Sequence, residues 1–370
     1  MNIQDKDKIK THKSFTRVLY IDYAKALGML LIIWGHTKLI GISNEFVYAF
    51  HIPLFFFLSG MVFNKGRYGN LGHFLARKVQ TLLVPYVVFS VLTWMLWAGY
   101  SYYTHVDVDS FWNPLLQTVL AQGSGGFLVH NVPLWFVTCL FIVELMYWFV
   151  SELKVGWIIV TCVVLAITSY CLVNYCDIWD FKRMPWSIDV AMMAIPFFAL
   201  GHLLVKYVPR IKMSDTVNNH LAISWILVIV GFAITAYLGH LNGMVSMGHA
   251  RLGNSPIVFY LTACIGTFAM LILCILIESI KGRKIWKGLT DRLSWFGRHS
   301  FDAMAIHNPI RQIVMVVVAM VLHTTSDAIS ENTIHSLISF IITLVITIVG
   351  MMVVEQVRSR IKLQDIEGKR

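Results

Sequence analysis

Charge is what this sequence has least of. Lys, Arg, Asp and Glu make up 14% of its 370 residues and hydrophobic residues 57%, where soluble domains carry roughly a quarter charged residues. With a mean hydropathy of +0.67, that excludes a soluble globular domain and makes the chain an integral membrane protein. Metal-like cysteine spacing is missing as well. The six cysteines, at 139, 162, 171, 176, 264 and 274, form no CxxC and no Cys/His zinc pattern. They are expected to be small core residues, and no metal is implied. No P-loop, HExxH or GxSxG elbow occurs where its structural context would hold, so serine-hydrolase and metalloenzyme readings have no support. Internal repeats and low-complexity tracts are also absent. The basic N-terminus is not followed by a short apolar region with a small-residue cleavage site, so the first apolar segment is expected to stay as a helix.

What is present is a series of long apolar runs. A hydrocarbon core about 30 Å thick needs about 20 apolar residues per helix. That length gives ten candidate spans, near 18–40, 45–63, 79–103, 133–150, 155–174, 187–205, 220–239, 256–278, 299–322 and 333–356. The expected fold is all-α: one polytopic domain over residues 18–356 with about ten transmembrane helices, between an N-terminal segment 1–17 and a tail 357–370. No connection is long enough for a soluble domain.

The net charge of +10 would suit a nucleic-acid partner only if the basic residues clustered outside the membrane pattern. They do not. With the N-terminus inside, the segments 1–17, 64–78, 151–154, 206–219, 279–298 and 357–370 hold 24 of the 30 Lys and Arg, against Lys182, Arg183 and Arg251 outside. The positive charge is topological, both termini are expected in the cytoplasm, and the surroundings are membrane lipids rather than nucleic acid.

Against this background the stretch from Arg17 to Phe63 is unusual, because its two spans carry Asp22, Lys25, His36 and His51. Ionisable groups inside a span are costly and tend to face a polar interior. Lys25 and His36 are eleven residues apart, a rotation of about 20° and a rise of about 16 Å on a helix, so they share a face at opposite depths. Asp22 falls within about 60° of Lys25, close enough to pair with it. His51 returns on the next helix at a depth similar to that of His36. A neutral imidazole is the natural general base for a hydroxyl near pH 7.

The segments IDYAKALGMLLIIWGH and FHIPLFFFLSG resemble the opening signature of the membrane acyltransferase-3 family, most of all its fucose 4-O-acetylase-like branch. FLARKVQTLLVPY, PLWF, MPWSIDVAMMAIPFFALGHLL and FGRHSFDAMAIHNPI fit the same pattern, so the similarity covers nearly the whole chain. Relatives commonly carry Arg ten residues before the first-helix histidine, where this chain has Lys25. That keeps the cation but loses the bidentate fork. The resemblance implies transfer of an acyl group, usually acetyl from acetyl-CoA, to a hydroxyl of a sugar or surface glycan at the cell inner membrane. His36 matches the family's essential histidine. It would either deprotonate the acceptor or carry the acetyl as an acyl-imidazole, alternatives that stay open in sequence.

Other polar residues complete the expected site. His307 lies mid-span beside Pro309, whose missing N–H frees a carbonyl one turn upstream, so His307 has a kink-satisfying role to set against a catalytic one. His51 and His307 are candidates to orient the thioester or polarise its carbonyl. Lys25, Arg77 and Lys78 are candidates for CoA phosphates, with Asp22, Arg311 and Glu144 as further substrate contacts. Asp189, near the outer end of its span, is expected to be solvated, and His202 to pack at an interface. The rival reading is a transporter or flippase for a glycan or lipid-linked sugar, since intramembrane charges also line transport paths.

Overall fold

The computed structural model describes residues 18–37, 41–104, 111–123, 128–176, 183–280 and 284–367. The expected segment 1–17, Lys38 and Lys182 lie outside them. In lipid each backbone N–H must be bonded within its own segment, so runs of Leu, Ile, Val, Met and Phe fold as helices. In chain order these are α1 (Leu19–His36), α2 (Gly41–Val62), α3 (Leu71–Lys78), α4 (Val84–Thr104), α5 (Asn113–Leu120), α6 (Trp135–Val150), α7 (Val155–Tyr175) and α8 (Ile188–Tyr207). They continue as α9 (Arg210–Asn219), α10 (Leu221–Asn242), α11 (Pro256–Ile280), α12 (Lys284–Arg298), α13 (Ser300–Val321), α14 (Ser326–Glu331) and α15 (Thr333–Glu367). Among the described residues there is no strand, only an isolated bridge between Ser246 and Arg251.

Nine helical segments among the described residues are long and apolar enough to cross a membrane. α1 is not one of them. It has 18 residues, and its Asp22, Lys25 and His36 lower its hydropathy. The bundle resolves the difficulty by enclosing it: α1 packs on α2, α11, α12, α13 and α15, and Ala24, Ala26, Met29 and Ile33 are fully buried. A helix surrounded by protein can carry charge that a lipid-facing one cannot. The lipid-facing shell is formed by α4, α7, α10 and α15, in whose apolar stretches only 17–28% of residues are buried, against at least half in α2, α6, α8, α11 and α13.

Close packing of the inner layer relies on glycine. A Cβ on Gly60 of α2 would strike the Phe198 carbonyl, and one on Gly201 of α8 would strike the Phe57 carbonyl. The two helices therefore cross backbone to backbone, the usual use of small residues between membrane helices. Gly201→Ala is expected to destabilise the fold by about 1–3 kcal/mol, since neither backbone can retreat. A thermal midpoint in detergent that matches wild type would contradict this.

Both ends of the described chain lie at one end of the bundle. Asp22 of α1 accepts from Ser294 of α12 (3.4 Å), and Asp302 at the start of α13 pairs with Arg358 of α15 (2.7 Å). At the opposite end, Ser336 of α15 donates to the Thr37 carbonyl after α1 (3.1 Å). These are called below the Lys25 end and the His36 end.

Several expectations are corrected. The third span starts earlier, because α3 runs through a π turn at Val79–Leu83 into α4 and the apolar segment spans Leu71–Gly99. Helix α15 runs on past residue 356, as far as Glu367. Cys171 and Cys176 are exposed, not core, because they lie on the lipid-facing α7 and just beyond its end. Asp189 is buried, 1% exposed, and is not solvated: Arg183 pairs with it and the Val190 N–H donates to it (2.9 Å).

Candidate active site

Positions 25, 29, 32 and 36 recur at steps of four, three and four, one face of a helix. In α1 that face is Lys25, Met29, Ile32 and His36, and all four line a cavity of about 200 Å³. In α2, His51, Phe55 and Ser59 repeat at steps of four and form a second wall, and Ser300, Phe301 and Met304 of α13 form a third. The fourth wall is Trp135, Phe136 and Leu140 of α6, with Val132 and Pro133 before it. The cavity runs from Lys25 to His36 and is apolar between these ends. Such a lining strengthens any electrostatic interaction inside it.

At the His36 end three imidazoles converge. The rings of His36 and His307 are 5.3 Å apart and tilted by 40°. His307 Nδ1 lies 3.0 Å from the Ala303 carbonyl and 2.9 Å from that of Met304, and His51 Nδ1 lies 2.7 Å from the Val47 carbonyl. A carbonyl can only accept, so in both rings Nδ1 carries the proton and Nε2 the lone pair. Neutral His51 and His307 therefore present acceptors to the interior. They suit taking or orienting a proton, and they do not suit polarising a thioester carbonyl. His307 is fully buried, and its Nε2 has no hydrogen-bond partner in the protein. The ring of Tyr48 packs edge-on against His51 at 4.9 Å.

The kink at Pro309 is handled elsewhere. Proline removes the bond that would go to the Ala305 carbonyl, and Asn131 Nδ2 donates to that oxygen across the bundle (2.6 Å). His307 is thereby released from a structural duty that sequence alone would assign it. Asn131 also fixes the loop that leads into Val132 and Pro133 of the cavity wall.

The remaining expected residues separate from the cavity. Lys78 Nζ pairs with Glu144 (2.7 Å), with Glu144 the more buried partner, so these two hold each other. Arg77 is exposed on α3. Asp22 faces α12 through Ser294, and Arg311, one turn after His307 on the same face of α13, donates from Nε to Asn308 (3.3 Å) and borders a recess beyond the His36 end. His202 bonds the Tyr147 hydroxyl (2.8 Å), away from the cavity. Sequence reasoning missed Ser59, Trp135 and Asn131. Ser59 carries a usable signal, lying two helical turns after His51 on the same face; Asn131 pairs with a carbonyl 174 residues away and has none.

Among the described residues no group of three or more His, Cys, Asp or Glu could hold a metal ion. A family model whose description is an acyltransferase domain, that of acyltransferase-3, matches residues 18–355, from the first residue of the described bundle into α15. No curated protein and no solved structure matches the chain.

Proposed function

We infer the role of the cavity from the premise that this chain belongs to the acyltransferase-3 family, and so is a membrane acyltransferase. The observation that carries the finer reading is the His36–His307 pair at one end of a cavity that has Lys25 at the other. The proposed reaction is transfer of acetyl from acetyl-CoA to a hydroxyl of a sugar in a cell-surface glycan or its lipid-linked precursor, in the inner membrane. The likeness to fucose 4-O-acetylases in the first hairpin favours a sugar acceptor. The basic-residue split favours a cytoplasmic Lys25 end, where acetyl-CoA is made, and a far-side His36 end.

In this reading His36 takes the proton of the acceptor hydroxyl as its oxygen attacks the thioester carbonyl. The tetrahedral intermediate collapses with cleavage of the C–S bond, and the departing thiolate takes the proton from the imidazolium to leave as CoA thiol. His307 acts as a positioning residue: its Nε2 lone pair accepts an N–H from His36 and so fixes which His36 nitrogen is basic. His307 Nε2 has no hydrogen-bond partner in the protein, so this bond would tighten as substrate closes the site. His51 holds the acceptor hydroxyl through its own Nε2, and Lys25 attracts the donor's phosphates.

The test is purified protein in liposomes given radiolabelled acetyl-CoA and the host's surface glycan. Label is expected in alkali-labile ester on the glycan; CoA release with no labelled glycan would sink the acceptor assignment. Lys25→Ala is expected to raise the half-saturating acetyl-CoA concentration about tenfold, the scale of one charge-assisted contact, and Lys25→Arg to stay within about threefold of wild type. An unchanged value in Lys25→Ala would remove the donor contact.

A further inference from the structure

At the His36 end a second recess opens between α4, α13 and α14, outside the cavity. It consists of a water-sized hollow of about 20 Å³, bounded by Thr93, Trp97, His130 and Gln312, and a wider one of about 400 Å³, bounded by Trp97, Gln312, Arg311, Ser326, Asp327 and Ser330. Trp97 and Gln312 belong to both, so the two hollows adjoin.

His130 is the feature that asks for an occupant. It is 1% exposed, and neither ring nitrogen has a hydrogen-bond partner in the protein. Buried polar groups are almost always matched, and each exception needs an explanation. Burial also pushes the His130 pKa down to about 4, so at neutral pH the ring offers one donor and one acceptor. A hydroxyl, itself donor and acceptor, can pair with either nitrogen.

The rest of the recess fits the same chemistry. Trp97 supplies a broad apolar face with a polar edge, which suits the C–H face of a pyranose ring. Gln312 offers an amide donor and acceptor, and Ser326 and Ser330 offer hydroxyls. A phosphate is disfavoured by Asp327, which stands in the same recess. The volume suits one sugar ring with its water, at the scale of small-ligand pockets.

The recess also adjoins the cavity. In α13, His307 faces His36, and Arg311 and Gln312, about one turn later, border the recess. In the preceding loop His130 lines the recess and Val132 and Pro133 line the cavity, with Asn131 between them bound to Ala305. A single layer of chain separates a ring held against Trp97 from the imidazole pair.

We propose that Trp97, His130 and Gln312 form a subsite for the acceptor glycan, which holds one neutral pyranose ring neighbouring the unit to be acetylated, one layer of chain away from the His36–His307 pair. The proposal rests on the sugar-acceptor reading above. Its test is saturation-transfer NMR on the purified protein in nanodiscs, with methyl glucoside, methyl galactoside and methyl mannoside as probes. At least one is expected to bind wild type. Trp97→Ala and the partly exposed Gln312→Ala are each expected to weaken that binding at least tenfold with the thermal midpoint unchanged. His130→Gln, which keeps a donor and an acceptor, is expected within threefold of wild type, and His130→Leu to lose at least tenfold. Binding by none of the three probes, or binding indifferent to Trp97→Ala and Gln312→Ala, would overturn the subsite. The same samples read the parent assignment separately: glycoside bound at Trp97 with no acetyl passed to any sugar upholds a sugar site and overturns its role in holding the acceptor.

Discussion

His36→Ala is expected to lower acetyl transfer by about 10³-fold, the middle of the range for removing a positioned general base. The loss should fall in kcat, because the imidazole acts on a proton in flight and contributes little to holding either substrate. Binding of acetyl-CoA near Lys25, about 16 Å away along α1, should be unaffected. The side chain borders a cavity, so its truncation leaves the packing of α1 on α2 and α12 in place. Amounts of inserted protein and the thermal midpoint are thus expected to match wild type, and they separate a chemical loss from a folding one. Acetyl transfer within about tenfold of wild type would mean that another group takes the proton.

The second large effect is at His307. His307→Ala is expected to cost about 10²-fold in kcat, less than His36→Ala, because it removes the group that orients the base and leaves the base itself. The informative companion is His307→Gln. A carboxamide can donate to the Ala303 and Met304 carbonyls as Nδ1–H does, and its oxygen can accept from His36 as Nε2 would. Activity within about tenfold of wild type is therefore expected for His307→Gln. If His307→Gln is as poor as His307→Ala while both fold normally, the ring itself handles a proton and the positioning role fails.

The contrast between residues that came together and those that did not shows what periodicity can and cannot reach. Lys25 and His36 were placed on one face by their spacing alone, and both line the cavity. That inference works because the α-helix fixes direction every 3.6 residues, whatever surrounds it. The fate of Lys78 and Glu144 was not legible. Each looks like an unsatisfied charge near a span, and only the packing of α3 on α6 brings them to 2.7 Å. The same holds for Asp189, whose partner Arg183 arrives from the preceding loop. Ten spans are expected from the sequence, α1 among them, whereas only nine described segments are long and apolar enough to cross a membrane; composition cannot tell a helix that lipid surrounds from one enclosed by its neighbours. The duty of His307 was ambiguous for a related reason: Pro309 announces a vacant carbonyl, but the group that fills it, Asn131, lies in a loop 174 residues away in sequence.

The central claim is that His36 and His307 act as one unit on the proton of the acceptor. The most direct measurement is the kcat for acetyl transfer by the double variant His36→Ala/His307→Ala beside each single variant in the same liposomes. Residues that work through each other lose their effects together. With the base gone, an orienting partner has nothing to orient, so the double variant is expected within about threefold of His36→Ala. Losses that multiply, with the double variant a further 10²-fold below His36→Ala, would mean that the two imidazoles act independently and would contradict the account.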